Sequence, residues 1–260
     1  MTRDLFDHHA HLDDPGVDAG ELVAQLQALA DQGWPGALVP GYGPERYHAV
    51  RALIQAVPQL TRAVGMHPEV LAGLADEPAR ERAWELSLAE LEQPRVIAIG
   101  EIGLDQRYKR VFPLALQLGW FRRGLELARS RELPVVLHLV GWHGHALDLL
   151  KQVPPIRGVV HRWSGSVELA GPYQDAGLHL SMGLEPRETV EKRQATARAV
   201  HPDRLLIETD WPFLELTYPQ ALGAMAQLLD SLAEWRQEPR ADLAARLVRN
   251  ARAVYGTPPD

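Results

Sequence analysis

The sequence contains no cysteine. A disulfide scaffold, a thiolate nucleophile and a thiolate metal ligand are therefore excluded. Any metal would be held by imidazole and carboxylate, a donor set that suits Zn, Mn or Mg. No stretch approaches 18 consecutive apolar residues, so no membrane-spanning helix is expected. The opening MTRDLFDHHAHLDD lacks the apolar core of a secretory signal, and a cytoplasmic protein is the expectation. Positive charge is also short, with 27 Lys and Arg against 34 Asp and Glu and a formal net charge of -7. That balance disfavours a protein that coats duplex nucleic acid by electrostatics alone. It does not exclude an enzyme acting on phosphates, because bound divalent cations reverse the sign locally. Finally, the first apolar run is not followed by a Gly-rich phosphate loop but by HHAHLDD, which argues against an open dinucleotide-binding sheet.

What is present is a regular alternation. Short Val-, Ile- and Leu-rich runs occur as LFD at 5–7, GALV at 36–39, TRAVGM at 61–66 and RVIAIG at 95–100. PVVLH at 134–138, RGVVH at 157–161, LHLSMG at 178–183 and RLLIETD at 204–210 continue the series. Such runs read as strands buried on both faces of a parallel sheet. Between them lie amphipathic segments with helical spacing, among them 21–32, 45–57, 81–93, 114–132, 219–235 and 240–254. Eight βα units in 260 residues, without an internal repeat or linker, predict an α/β fold: a single-domain (β/α)8 TIM-type barrel spanning 1–260.

Polar residues recur where those strands should end. His9 and His11 are two apart, so on an extended segment both point to one side and can chelate one cation; His8 points away. Asp7 either accepts a ring N–H from one of these imidazoles or serves backbone donors. Glu101, between Gly100 and Gly103 after an apolar run, needs a cation or a donor if buried. Asp105 either supports a ligand or caps the following loop. His138 and His161 each close a β-branched run, whereas His143 and His145 start a helix and read as solvated or substrate-facing. Asp210 follows the last strand; Glu208, two residues earlier, is either a neighbour at the mouth or a backbone acceptor. His67, in GMHP, is open as a ligand, a substrate donor or a loop residue. In a barrel these strand ends meet at one mouth, where active sites form. Six candidates, His9, His11, Glu101, His138, His161 and Asp210, exceed what one four-coordinate zinc needs and fit two divalent ions sharing a carboxylate.

The order of these motifs resembles the TatD-type metal-dependent deoxyribonucleases of the amidohydrolase-like superfamily. FDHHAHLDD, GMHP at 65–68, GEIGLD at 100–105, PVVLH, HRWSG at 161–165 and ETDWP at 208–212 follow the family's sequence of motifs. YxxxG leading into LHLSMG, at 173–183, and NARAVYG at 250–256 extend the likeness over essentially the whole chain. The resemblance implies that His9, His11 and Asp210 bind one divalent cation, His138 and His161 the other, and that Glu101 bridges them. It implies that His67 contacts the scissile phosphate, that Asp210 accepts or orients the attacking proton, and that Asp210, Glu101 and His67 carry the catalysis. The implied reaction is phosphodiester hydrolysis at single-stranded DNA ends with two divalent metal ions (Mg, Mn or Zn).

Three departures qualify that reading. The family's His-x-Arg is here His138-Leu139-Val140, HCFSG is HRWSG with Arg162 and Trp163, and the segment after Pro212 runs FLELTYPQALG. The metal ligands survive while the expected phosphate-contacting shell has changed. A metal-dependent hydrolase of a non-nucleotide phosphate ester, a carboxyl ester or a lactone is therefore the alternative. A non-catalytic barrel protein has no reason to keep six ligands. Arg162 is the one basic residue beside a motif, and no feature specifies an obligate protein partner.

Overall fold

The computed structural model describes residues 5–184, 188–212 and 214–256. Residues 1–4 and 257–260, and Phe213 within the altered segment after Pro212, lie outside the described residues. Seven parallel strands form one sheet in sequence order: β1 Ala37–Val39, β2 Leu60–Val64, β3 Val96–Asp105, β4 Val135–Val140, β5 Gly158–Val160, β6 Leu178–Met182 and β7 Leu205–Ile207. Around them lie α1 Ala19–Asp31, α2 Tyr47–Ala56, α3 Pro68–Gly73, α4 Glu77–Glu90, α5 Leu114–Ser130, α6 His143–Gln152, α7 Val167–Asp175, α8 Val190–Ala199, α9 Tyr218–Arg236 and α10 Arg240–Tyr255. The seven later expected strands and the long helices are present, within a few residues of their expected ends.

The expected closed eight-stranded barrel is corrected to a parallel sheet curled into a half-barrel. The run at 5–7 does not form an eighth strand; its segment makes single bridges, Asp7 to Ala37 at one edge and Ala10 to Trp211 at the other. The physical reason lies in its composition. DHHAHLDD has too few apolar side chains for a strand buried on both faces; His9 N turns to a side chain, while the N–H groups of Asp7, Ala10 and His11 donate to the carbonyls of Gly36, Leu38 and Trp211 at the two edges. The Asp7 carboxylate accepts from His9 N (3.3 Å), Thr209 N (3.0 Å), Thr209 Oγ1 (2.6 Å) and Tyr218 OH (3.1 Å). Of the two roles open to Asp7, it takes the structural one.

Strand residues alternate between two cores, as a period of two requires. One set, including Val39, Ile99, Val135, Leu137, Val160, Leu180 and Ile207, packs outward against the helices. The other, Leu38, Ala63, Ala98, Val136, Val159 and Leu206, fills the inside of the curl with Val254 of α10. Continuing that inner face by one step replaces Val136 with His138, Val159 with His161 and Leu206 with Glu208. Apolar packing below thus sets the aim of the polar side chains above. β3 and β4 approach so closely that a Cβ on Gly103 would lie 1.9 Å from the His138 carbonyl oxygen, which only glycine avoids.

The inner face also holds His179, nearly fully buried, whose imidazole burial pushes down from 6.5 to about 4. A depressed imidazole favours the fold while neutral. Its contribution is present above about pH 6.5 and is lost as pH falls through about 4, by roughly 3 kcal/mol in total. Denaturant unfolding at pH 7 and pH 4 is expected to show this loss, and His179→Gln is expected to flatten the pH dependence. An equally steep dependence in the variant would remove His179 as its source.

Candidate metal centre

Five imidazoles converge on the one carboxylate of Glu101. Oε2 lies 3.4 Å from His9 Nε2 and 3.2 Å from His11 Nε2. Oε1 lies 3.0 Å from His161 Nε2, 3.3 Å from His138 Nδ1 and 4.0 Å from His67 Nε2. Asp210 Oδ1 closes the Oε2 side, at 3.7 Å from His9 Nε2 and 3.8 Å from His11 Nε2. The two carboxylate oxygens therefore divide the donors into two groups. Among the described residues, His9–His11–Asp210, His9–Glu101–His161 and His67–Glu101–His138 each bring one ligand atom per residue within 4.8 Å of the others. All six ligand candidates from the sequence, and His67, are thus brought together.

The residues behind these groups aim them. Asp105 accepts from His138 Nε2 at 3.0 Å, so the Nδ1 lone pair faces Glu101. Asp105 is itself gripped by Arg107 through Nε (2.9 Å) and Nη2 (2.5 Å) and caps the turn by accepting from Arg107 N. Both roles open to Asp105 are filled. Glu208 Oε1 lies 3.6 Å from His161 Nδ1 and accepts from Arg162 N at 2.5 Å, which makes it a backbone acceptor as well as a neighbour of His161. His67 caps α3, its Nδ1 accepting from Glu69 N at 3.0 Å. Its proton consequently sits on Nε2, which points toward His138 Nδ1 at 3.1 Å. Tyr42 stacks on the His67 ring at 4.8 Å and donates to Glu69 Oε2 at 2.6 Å.

Electrostatics and burial agree with a cation site. Burial acts to raise the Glu101 carboxyl, but His9 and His161 outweigh it and hold the group well below its ordinary range. Burial also acts to lower His161, yet Glu101 and Glu208 together outweigh it and raise that imidazole well above its usual value. Burial dominates at His67, held well below its usual value with His138 adding to the effect. Glu101 is 1% exposed, and neither of its oxygens has a partner in hydrogen-bonding geometry. A buried anion in that position costs several kcal/mol without a cation. The donor set of imidazole nitrogen and carboxylate oxygen fits Mg, Mn or Zn.

The centre lies in a cavity of about 590 Å³. Its wall includes Leu139, Val140, Trp163, Met182 and Pro212, and four arginines, Arg46, Arg107, Arg162 and Arg193. Sequence reasoning picked out only Arg162. Arg107 was detectable two residues beyond GEIGLD; Arg46 and Arg193 reach the cavity from a loop and a helix without any motif. His143 is half-buried, with Nδ1 3.1 Å from Tyr173 OH. His145 is exposed, and His8 is buried facing Tyr255.

The family model for TatD-related DNases matches residues 6–256. The chain belongs to the TatD-related DNase family. It is 30% identical to the uncharacterised metal-dependent hydrolase YjjV of Escherichia coli, covering 99% of this chain and all of the relative. The crystal structure of that TatD homologue superposes with a TM-score of 0.81 over 99% of this chain and 100% of the other, at 28% identity. A 3'-5' ssDNA/RNA exonuclease TatD from Cronobacter sakazakii is 30% identical over 98% of this chain and 95% of its own length. The protein is a metal-dependent hydrolase of the TatD type, with two candidate metal groups sharing Glu101. No helix among the described residues is long and apolar enough to cross a membrane.

Proposed function

We propose that this TatD-family hydrolase, acting as one unit over 1–260 and in the cytoplasm, removes nucleotides from single-stranded DNA ends with two divalent cations, Mg, Mn or Zn. The observation that carries the reading is the division of Glu101: Oε2 toward His9, His11 and Asp210, Oε1 toward His138 and His161. In this reading each of those two sets would hold one cation, with Glu101 shared between them. Bound there, the cations make water acidic near neutral pH and offset charge on phosphoryl oxygens.

The protein's own groups complete the chemistry. His67, protonated at Nε2, donates to a phosphoryl oxygen where negative charge grows. Asp210 orients the attacking water and takes its proton. Asp105 and Glu208 keep His138 and His161 turned toward Glu101, so the donors need not reorganise during reaction. The recessed position favours a single strand, because a duplex interior reaches such a centre only after deformation. The exonuclease activity borne in the name of the Cronobacter relative supports the same substrate.

Val140 and the apolar wall favour a second reading, a smaller ester or lactone cleaved at the same centre. A panel of substrates separates the two: single-stranded and blunt duplex oligonucleotides labelled at each end, a chromogenic phosphodiester, a phosphomonoester, simple esters and lactones, each with Mg, Mn and Zn. Progressive shortening of the single-stranded oligonucleotide is the expected result. Rapid lactone or carboxyl-ester hydrolysis with every phosphate substrate untouched would overturn the nuclease reading.

A further inference from the structure

The segment His161-Arg162-Trp163 leaves β5 and crosses the cavity wall. His161 belongs to the metal centre, and Trp163 is buried, donating its backbone N–H to Ser181 O at 2.8 Å. The Trp163 ring packs edge-on against Tyr173 at 5.1 Å and beside His143 at 5.5 Å. Between these two anchors Arg162 has a positive φ of 44°. A non-glycine residue adopts that left-handed conformation at a cost, and only where its surroundings impose it. Here the backbone N–H of Arg162 donates to the buried Glu208 Oε1 at 2.5 Å. The turn sends the guanidinium into the cavity, where Nη1 lies 3.1 Å from Asp210 Oδ2.

The four cavity arginines are not equivalent. Arg46 lies 3.9 Å over the Tyr42 ring and 3.5 Å from Asp14, and Arg107 is locked bidentately on Asp105. Arg193 donates to Gly183 O at 3.0 Å. Arg162 meets the carboxylate that closes the Oε2 side of the metal centre: Asp210 presents Oδ1 to His9 and His11 and Oδ2 to Arg162. At the end of the adjacent strand β4, the Val140 side chain offers no donor.

We infer that Arg162 binds a phosphate oxygen of the substrate beside the reacting centre and so selects phosphate esters over uncharged esters. The inference rests on the phosphate-ester reading of the preceding section. A guanidinium carries five N–H donors in a planar fork, so it can engage more than one oxygen acceptor at once. Its anchored backbone reduces the entropy lost when the contact forms. The competing role is that of a prop, with Arg162 acting only to hold Asp210 in place.

Direct binding and kinetics on one set of proteins decide between these roles. The native protein, Arg162→Gln and Arg162→Lys are loaded with Mn and titrated calorimetrically with inorganic phosphate. Mn binding is measured separately. Arg162→Gln is expected to weaken phosphate by about ten- to hundredfold, the loss of one charge-assisted hydrogen bond. Mn affinity should stay within about threefold of native, since a cation at Oδ1 does not need a partner at Oδ2. Arg162→Lys, which keeps the charge without the fork, should recover part of the loss. On a single-stranded oligonucleotide the fall in kcat/KM should lie mainly in KM, and the slope of log KM against log salt should drop by about 0.7. Unchanged phosphate affinity in Arg162→Gln, or Mn and phosphate affinities lost together, would overturn the inference. If the native protein cleaves no nucleic acid, the nuclease reading fails while the phosphate titration still decides the role of Arg162.

Discussion

Glu101→Gln is expected to lower turnover by at least about a hundredfold, the upper end of the loss seen when even outer partners of a metal are disturbed. The substitution keeps shape and volume and removes one negative charge. That charge has imidazole nitrogens within 3.4 Å on both of its oxygens. With Gln, one of the two positions becomes an NH2 group, a donor facing nitrogens that are themselves arranged as donors to a cation. One half of the centre should then be lost. Elemental analysis after dialysis against Mn or Zn is expected to find about two ions per native chain and at most one in Glu101→Gln. Circular dichroism should remain close to native, because β3 is fixed on either side of Glu101 by Ile99, Ile102 and Leu104 in the main core. A fully active variant would make Glu101 a structural residue, and one ion or none in the native protein under every condition would remove the two-cation reading.

Asp210→Asn is expected to lower kcat by about a hundred- to ten-thousandfold, the contribution of a positioned general base. Asp210 has a φ of 51°, a left-handed conformation that Asn tolerates as well as any residue except Gly. The substitution therefore spares the backbone and isolates the charge. Its amide cannot take a proton, cannot pair with Arg162 as an ion and is a poorer cation ligand. Mn titration of activity separates these effects: a loss that persists at saturating Mn belongs to the proton, and a loss that saturating Mn reverses belongs to ligation. A kcat within about threefold of native would exclude Asp210 from the chemistry. The same variant is the control for nuclease contamination in the substrate panel.

The two variants draw on parts of the site that were unequally visible before the structure. Glu101, His138 and His161 stood out because a charged or titratable group after an apolar strand needs a reason. His9 and His11 stood out through their spacing of two. Asp105, Glu208 and Asp7 were left open between roles, because spacing shows which side of a strand a group faces and not which donor arrives there. Asp7 meets Thr209 and Tyr218 across more than 200 residues of chain. Arg46 and Arg193 escaped for a related reason: an arginine outside any motif has no local signature, and its meaning comes from the cavity it faces.

The residues alone determined the parallel α/β plan and the candidate donors, because buried strands require apolar runs and a charged or titratable group at the end of such a run needs a partner. They also carried the order of motifs by which the family is recognised. The tertiary structure decided three further matters. It replaced an eighth strand by two single bridges, since the segment around His9 pairs with each edge only at isolated points and turns His9 N to the Asp7 carboxylate. It divided the donors between the two oxygens of Glu101. It turned Arg162 toward Asp210, an aim set by Glu208 and Trp163 on either side of a left-handed residue. Each depends on distances between atoms far apart in the chain, which local pattern does not encode and packing does.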